Sequence, residues 1–385
     1  MATQEEQDAQ AATPADQEDE GGGSGSGRDI TDAQLERLYT AAVEQSYKYV
    51  GAGSKYSSYQ MVLSKIDRFN RNMIMPNHEV SGLTFFTRPK LCLVTDNIRQ
   101  DRHMSTLDVI DPVAWPFAAR CLLDTNFAKS AAAAGAASYS PFFDNRSPFI
   151  TPLTNCLVSI NGYPDFVIDT ETTEGGYFGE DQTFARGADM GAGTYDLTVN
   201  FRDVQGGFIW ALMLYWARCV PLMNRGLMSP YPEDIAANRY CYTTSIYRFV
   251  LDPSRRIITK WSKATGCVPV SHPTGTAFNV NDYQSFIDST QQYSINFKAN
   301  TIEYMDPIIF QDFNLLMERF CPGLADGSYV KARNIPEHNF VGLPYIDIKA
   351  GYNELMFLCK PEELENPVDA VMRDIYQSLG LQVPR

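Results

Sequence analysis

Hydrophobic and polar positions follow two periods along this chain. Tyr195, Leu197, Val199 and Phe201 alternate with Asp196, Thr198, Asn200 and Arg202, and Tyr293, Ile295, Phe297 and Ala299 repeat the same two-residue spacing. Successive side chains of an extended strand point to opposite faces, so each run predicts a strand with one packed face and one polar face. Shorter apolar strings predict further strands at Leu83–Thr87, Leu91–Val94, Leu157–Ile160, Phe166–Ile168, Thr243–Leu251, Arg256–Trp261, Ile346–Ala350 and Leu355–Cys359. Arg88-Pro89-Lys90 separates the first two, and proline there implies a bulge, an edge or a turn. Asp252-Pro253-Ser254 suits a tight connection, because proline fixes φ and aspartate accepts from nearby amides; strands 243–251 and 256–261 are therefore expected to form a hairpin.

The helical period appears between these strands. Ile209, Leu212, Met213 and Trp216 predict a buried helix over Phe208–Val220, opened by the break at Gly206-Gly207 and closed by Pro221. A second helix, 307–320, places Ile308, Phe310, Phe313, Leu316, Met317 and Phe320 on one broad surface. Segment 107–138 is expected to be mostly helical from near Ala118. A last helix follows Asn366, with Pro367 in its first turn and Gly380 as its stop. Near the amino end, Thr31 and Gln34 form a capping-box pair ahead of Leu35, Leu38, Ala42 and Val43, and another helix is expected over about 56–70. Residues 139–194 are rich in Ser, Pro, Asn, Gly and Thr, and Glu174–Gly193 reads as a long projection. The expected fold class is α+β: a β-rich sandwich or barrel-like core with peripheral helices and long loops. Its divisions are a flexible acidic Gly/Ser-rich arm (1–29), a helical amino-terminal segment (30–80) and a β-rich structural body with inserted helices (81–385).

Composition sharpens this picture. The 385 residues are 44% apolar and 12% aromatic, ample for a large core. Of the net charge of -14, half lies in the first thirty residues, where eight acids face the single base Arg28. Such a segment, ending in Gly21 to Gly27, buries too little to offset the entropy of ordering it. The rest is still acidic, which argues against a conventional phosphate-binding face, favours solubility and allows an acidic inner or outer wall in an assembly. No run of eighteen apolar residues occurs and the start carries no basic or apolar leader, so neither membrane insertion nor secretion by that route is expected. The eight cysteines are at least 22 residues apart, without the local pairs of zinc or iron-sulfur knuckles. Buried free thiols are the leading expectation, with disulfides formed after assembly as the alternative.

Candidate chemistry is sparse. No P-loop, dinucleotide glycine motif, HExxH, EF-hand loop or GxSxG is present, and Gly187–Gly193 lacks both the strand and the Lys-Ser or Lys-Thr ending of a phosphate cradle. Asp165 and Asp169, beside Glu171 and Glu174, would stand about 13 Å apart on one strand face, too far for paired acid-base work. His78, His103, His272 and His338 form no metal-like pair. The Trp210, Met213 and Trp216 group reads as core. No catalytic residue, cofactor or metal site is expected, and the chain does not read as an enzyme. Arg248, Arg255, Arg256, Lys260 and Lys263 are the densest basic set, beside Tyr247, Phe249 and Trp261. They are candidate subunit contacts to acidic surfaces of neighbouring copies; a solvated face and direct nucleic-acid contact remain the alternatives.

From Phe85 to Asn314 the chain resembles virion structural proteins of large tailed bacteriophages, in particular tail tube and tube-associated subunits. The resemblance rests on Phe85-Phe86-Thr87-Arg88-Pro89-Lys90-Leu91, on Ser159 through Asp165, on Thr198 through Asp203 with Gly206-Gly207, on Tyr242 through Asp252, and on Ala264-Thr265-Gly266 before Pro269. It implies a structural subunit, made in the host cytoplasm and built into the virion tail or neck. Its partners would be further copies in a ring, expected to be hexameric, neighbouring virion proteins, and DNA passing without sequence-specific binding. The resemblance supplies no catalytic residues and leaves open a neck or baseplate connector, or a non-viral assembly or ligand-binding module.

Overall fold

In the computed structural model the described residues are 81–360, apart from 92, 110, 112–113, 134–143, 190–192, 231, 238–240, 254, 276–277, 279–291, 325, 332–341 and 349–352. The arm, the expected amino-terminal helices and the helix expected after Asn366 lie outside the described residues. All described residues fall within one compact unit, Ala41–Arg385.

The elements in chain order are β1 (Ser81–Phe86), α1 (Thr95–Gln100), α2 (Trp115–Leu123), α3 (Thr125–Ala133), α4 (Thr151–Asn155), β2 (Leu157–Asn161), β3 (Val167–Thr172), β4 (Thr183–Asp189), β5 (Tyr195–Arg202) and α5 (Phe208–Asn224). There follow α6 (Pro232–Ala236), β6 (Thr244–Leu251), β7 (Ile258–Pro269), β8 (Gln292–Ala299), β9 (Thr301–Tyr304), α7 (Ile308–Phe320), β10 (Val330–Lys331), β11 (Leu343–Asp347) and β12 (Glu354–Cys359). Seven strands form the main sheet in the order β1-β6-β7-β8-β5-β2, with β9 also on β7. Strands β10, β12 and β11 form a second sheet, and β3 with β4 a separate two-stranded ribbon.

The expected hairpin is present: β6 and β7 pair antiparallel from Leu251↔Ile258 outward. Asp252 Oδ1 accepts from the Arg256 and Ile257 amides, which fixes the turn. The main sheet then curls. Residues 297–304 run along β7 with a break at Asn300, where the Asn300 amide donates to the Thr265 carbonyl. Gly266 faces that break with φ 69°, and a Cβ there would stand 2.6 Å from Asn300 Nδ2. The curl brings Phe86 of β1 within 5.6 Å, ring to ring, of Phe201 in β5, although those strands are far apart in the strand order. The result is a mixed α+β, sandwich-like body; among the described residues β1 and β2 share no ladder, so the barrel-like alternative is not realised as a closed barrel.

Both faces of β1, β6 and β7 are covered, which produces two cores. Phe86, Ile246 and Ala264 face the first, together with Leu197, Val199, Phe201, Ile295 and Phe297 and the helices α2 and α5. Phe85, Tyr247, Phe249 and Trp261 face the second, against Phe310, Phe313 and Met317 of α7 and Leu343, Ile346 and Leu355 of the small sheet. Asn314 joins these layers: its Nδ2 donates to the Ile346 carbonyl at 2.7 Å and its Oδ1 accepts from the Ile346 amide at 2.9 Å. A buried amide satisfied on both sides costs little and fixes one strand against one helix. Ile308, expected on the apolar face of α7, is exposed, and its neighbour Ile309 takes the buried position.

Two local expectations are corrected and one is refined. Leu91, Leu93 and Val94 do not form the expected strand: the Leu91 amide donates to the Leu123 carbonyl and the Leu93 amide to Asp124 Oδ2, so these two amides are satisfied by the end of α2. Segment 107–138 is mostly helical among its described residues, as expected, and the same Asp124 divides α2 from α3: its Oδ1 accepts from the Asn126 and Phe127 amides and so caps α3. Asp124→Ala removes the cap and orphans the Leu93 amide, and is expected to cost about 2–3 kcal/mol by urea denaturation. A loss below about 0.5 kcal/mol would reject this role, since cap removal alone normally exceeds it. Finally, α5 runs to Asn224 through Pro221. Proline forfeits one helical bond near the end, while Arg225, Gly226 and Leu227 donate to the Pro221, Met223 and Leu222 carbonyls and close the last turn.

Candidate functional site: an assembly surface

The segments that carry the resemblance act mainly as joints. Arg88 is buried, its guanidinium donating to the Cys121 carbonyl at 2.6 Å and the Ser147 carbonyl at 3.2 Å. Burial lowers its pKa to about 10, which leaves it cationic at neutral pH. Lys90 and Cys241 exchange backbone bonds, and the Thr87 amide donates to the Ser245 carbonyl, so residues 85–91 link β1, α2 and β6. In the Ser159–Asp165 segment, Gly162 has φ 101° and a Cβ would lie 2.2 Å from the Asp196 carbonyl oxygen; a side chain there would push the strand away from β5. The Tyr304 hydroxyl then donates to the Pro164 carbonyl at 2.8 Å and fastens that loop to β9.

The five basic residues are not brought together. Register places Arg248 and Lys260 on the sheet face of the first core and Lys263 on the opposite face, while Arg255 and Arg256 lie in the β6–β7 turn. Arg248 is half-buried, with Nη1 donating to Thr84 Oγ1 at 3.0 Å, and burial lowers its pKa. Lys263 Nζ lies 2.6 Å from Asp312 Oδ2 and 5.6 Å from the Tyr247 ring centre. Arg255, Arg256 and Lys260 are exposed. Arg255 holds φ 57°, a left-handed conformation that costs a non-glycine residue about 1–2 kcal/mol.

Two other surfaces stand out. The outer face of β2, β5 and β8 carries Ser159, Asn161, Thr198, Asn200, Ser294 and Asn296, opposite an inner face whose residues from these strands fill the first core. Thr198 Oγ1 donates to Asn296 Oδ1 at 3.1 Å and Asn200 Nδ2 to Ser159 Oγ at 2.8 Å. Its charges nearly cancel, with Lys298 Nζ 3.5 Å from Asp196 and Arg202 at the rim.

The second surface is the β3–β4 ribbon. Every residue from Asp165 to Arg186 is exposed, among them Phe166, Val167, Ile168 and Phe184, with Tyr177 96% and Phe178 88% accessible at the tip. Thr172 and Thr183 share a side-chain hydrogen bond and Glu171 lies 3.6 Å from Arg186, but among the described residues no core supports the ribbon. The long projection is therefore a β-ribbon, and the carboxylates of Asp165, Asp169 and Glu171 are dispersed along it. Its aromatic tip escaped sequence reasoning; the available signal was Tyr177-Phe178 flanked by glycines in an otherwise polar segment.

Other candidates are structural. His272 Nε2 donates to the Trp210 carbonyl at 2.9 Å while Nδ1 accepts from Thr274 Oγ1, and burial lowers its pKa, favouring this neutral tautomer. His78 and His338 lie outside the described residues. The seven described cysteines are free thiols, and burial pushes those of Cys121 and Cys267 up to about 12. Among the described residues no group of three His, Cys, Asp or Glu is placed to hold a metal ion, and no helix is long and apolar enough to cross a membrane.

No curated protein matches the chain. Solved structures with partial likeness are the cap that terminates the tube of the anti-feeding prophage (11% identity, 38% of this chain and 78% of that one, TM-score 0.23) and the sheath/tube terminator of an extracellular contractile injection system in its extended state (11%, 38% and 84%, 0.22). The sheath-tube complex of that system gives 11%, 38% and 78%, with a TM-score of 0.21. Scores this low carry no structural weight. A family profile is decisive: that of the putative phage tail tube proteins matches residues 25–346, most of the chain and all but the end of its described body. The chain therefore belongs to the phage tail tube protein family, and is a structural, non-catalytic, tail-tube-like component of the virion.

Proposed function

We propose that copies of this chain form a ring, six to the turn, and that stacked rings enclose the passage for DNA with the outer face of β2, β5 and β8 turned to the bore. The observation that carries this reading is that face itself: a regular, neutral, hydrogen-bonded array on strands whose opposite side is fully committed to the core. Phosphates adhere to Lys and Arg by displacing condensed counterions, and a wall of hydroxyls and amides offers few such exchanges. The wall in this arrangement is close to neutral rather than acidic, and the acids gather on the β3–β4 ribbon instead. The ribbon supplies a contact between copies, because a two-stranded ribbon alone is marginally stable in water and gains stability when its apolar side chains are covered.

Cryo-electron microscopy of the assembled protein tests the reading directly: six-fold rings with Thr198, Asn200 and Asn296 on the bore are expected. The same face outside the tube, or buried between copies, would reject it. In virions, the double variant Ser294→Lys/Asn296→Lys should slow DNA release, with the delay relieved by raised salt.

A further inference from the structure

One asparagine on the outer face of β2, β5 and β8 differs from its neighbours. Asn200 donates from Nδ2 to Ser159 Oγ and Asn296 accepts at Oδ1 from Thr198, whereas among the described residues the exposed carboxamide of Asn161 has no hydrogen-bond partner. Asn161 is also the only asparagine in the chain that is followed by glycine. The ladder with β5 ends at the rung Asn161↔Thr198, and β2 stands last in the strand order, so the exposed Gly162 lies past the final rung of an edge strand. Such rungs open at little cost, which frees the Asn161 backbone to turn its side chain toward the next peptide bond. The glycine cannot be exchanged for a residue that would shield that bond: its φ of 101° strains any side chain, and a Cβ would stand 2.2 Å from the Asp196 carbonyl oxygen. The fold therefore demands, beside a free carboxamide, the one residue type that leaves its amide nitrogen unscreened.

We infer that Asn161 is a site of spontaneous covalent modification, at which the Gly162 backbone nitrogen attacks the side chain and the carboxamide becomes a carboxylate. The nitrogen gives its proton to hydroxide and bonds to Asn161 Cγ; the Cγ–Nδ2 bond breaks, and Nδ2 takes a proton from water and leaves as ammonia. Water then opens the cyclic imide at either carbonyl, giving aspartate or the isomer whose backbone runs through the side-chain carboxyl. The balance is water consumed and ammonia released, with nothing oxidised or reduced. Each conversion adds a negative charge opposite Thr198 and about 7–8 Å, on the diagonal, from Asp196. The modification itself does not depend on the tube reading. Its consequence does: on a bore-facing wall the neutral array turns acidic as the particle ages, and phosphate is repelled more strongly over a screening length of about 8–10 Å.

The test incubates the full chain, folded and unassembled, in mildly acidic and mildly alkaline buffers and follows every asparagine by peptide mass spectrometry, with enzymatic methylation of isoaspartate as a second readout. Asn161 should convert ahead of all others, with a rate that rises about tenfold per pH unit because the attacking nitrogen must first lose its proton. Asn161→Gln keeps the amide but would have to close a larger ring, so it should lose the signal at this position while the chain melts at the same temperature. Gly162→Ala is unsuitable as a control, since the added Cβ disturbs the fold itself. An Asn161 that stays intact in the folded chain while it converts in guanidinium would overturn the inference, because the ladder would then be shielding it. Conversion at other asparagines as fast as at Asn161 overturns it too. Assembled protein separates the two readings: conversion that persists supports both, whereas conversion in the free chain that stops on assembly upholds the modification site and rejects an open bore on this face.

Discussion

Replacing Trp216 with alanine is expected to remove about 4–5 kcal/mol of stability, a large part of the ~5–15 kcal/mol available to a whole domain. Two losses add. The indole is fully buried at the centre of the first core, 6.3 Å from the Phe297 ring in edge-on contact, so truncation opens a cavity that the surrounding strands can only partly close. Its Nε1 also donates to the Tyr242 carbonyl at 3.1 Å, and that acceptor loses its partner. Trp216→Phe retains most of the packing and loses the hydrogen bond, so it should cost about 1–2 kcal/mol. Urea denaturation of the unassembled chain measures both. Equal effects of alanine and phenylalanine would show that the hydrogen bond dominates over the volume.

Phe313→Ala should be similarly damaging, at about 3–5 kcal/mol, for a different reason. Phe313 stacks on Phe149 at 4.9 Å and meets Phe249, Phe85 and Tyr247 at 5.2, 5.3 and 5.4 Å, most of them edge-on. Such geometries add energy beyond area burial, and one ring here serves four partners drawn from β1, β6 and the segment before α4. Its loss should loosen α7 from the sheet, and through Asn314 the hold on β11. Hydrogen exchange should then accelerate at Ile346 and across α7 while amides of β5 and β8, which belong to the other core, keep their protection. Uniform acceleration through both cores would count against this separation.

Strand alternation made the sheet legible in the sequence. The runs at 195–201 and 293–299 fell where a two-residue period is cleanest, because one face of each packs and the other meets solvent. The β6–β7 hairpin was readable from its turn chemistry, and Trp216 from the helical spacing around it. Other features depend on contacts between distant residues. Nothing local reveals that the Leu91 and Leu93 amides are taken by α2 and Asp124, and an aspartate within a helix-favouring segment does not announce which amides it will cap. The basic residues were read as one set from their closeness in sequence, but alternation sends neighbours to opposite faces, and three-dimensional pairing gave Lys263 to Asp312. The neutral outer face was implicit in the same alternation, yet its composition emerges only when β2, β5 and β8 are set side by side by their register.

That register has a consequence for how this body tolerates change in chain length. In β6 the odd positions Tyr247, Phe249 and Leu251 supply one core while Ile246 supplies the other and Arg248 shares its face. Loss or gain of one residue within the strand would exchange the two sets, driving the Arg248 guanidinium among the aromatic rings of the second core and the Tyr247 ring into the packed first core. A strand solvated on one side can absorb such a slip by exposing what was inside, but this one has no outside. Length variation should therefore be admitted at the β3–β4 ribbon and excluded from β6, so the part of the molecule free to diverge is the part assigned here to meeting its neighbours.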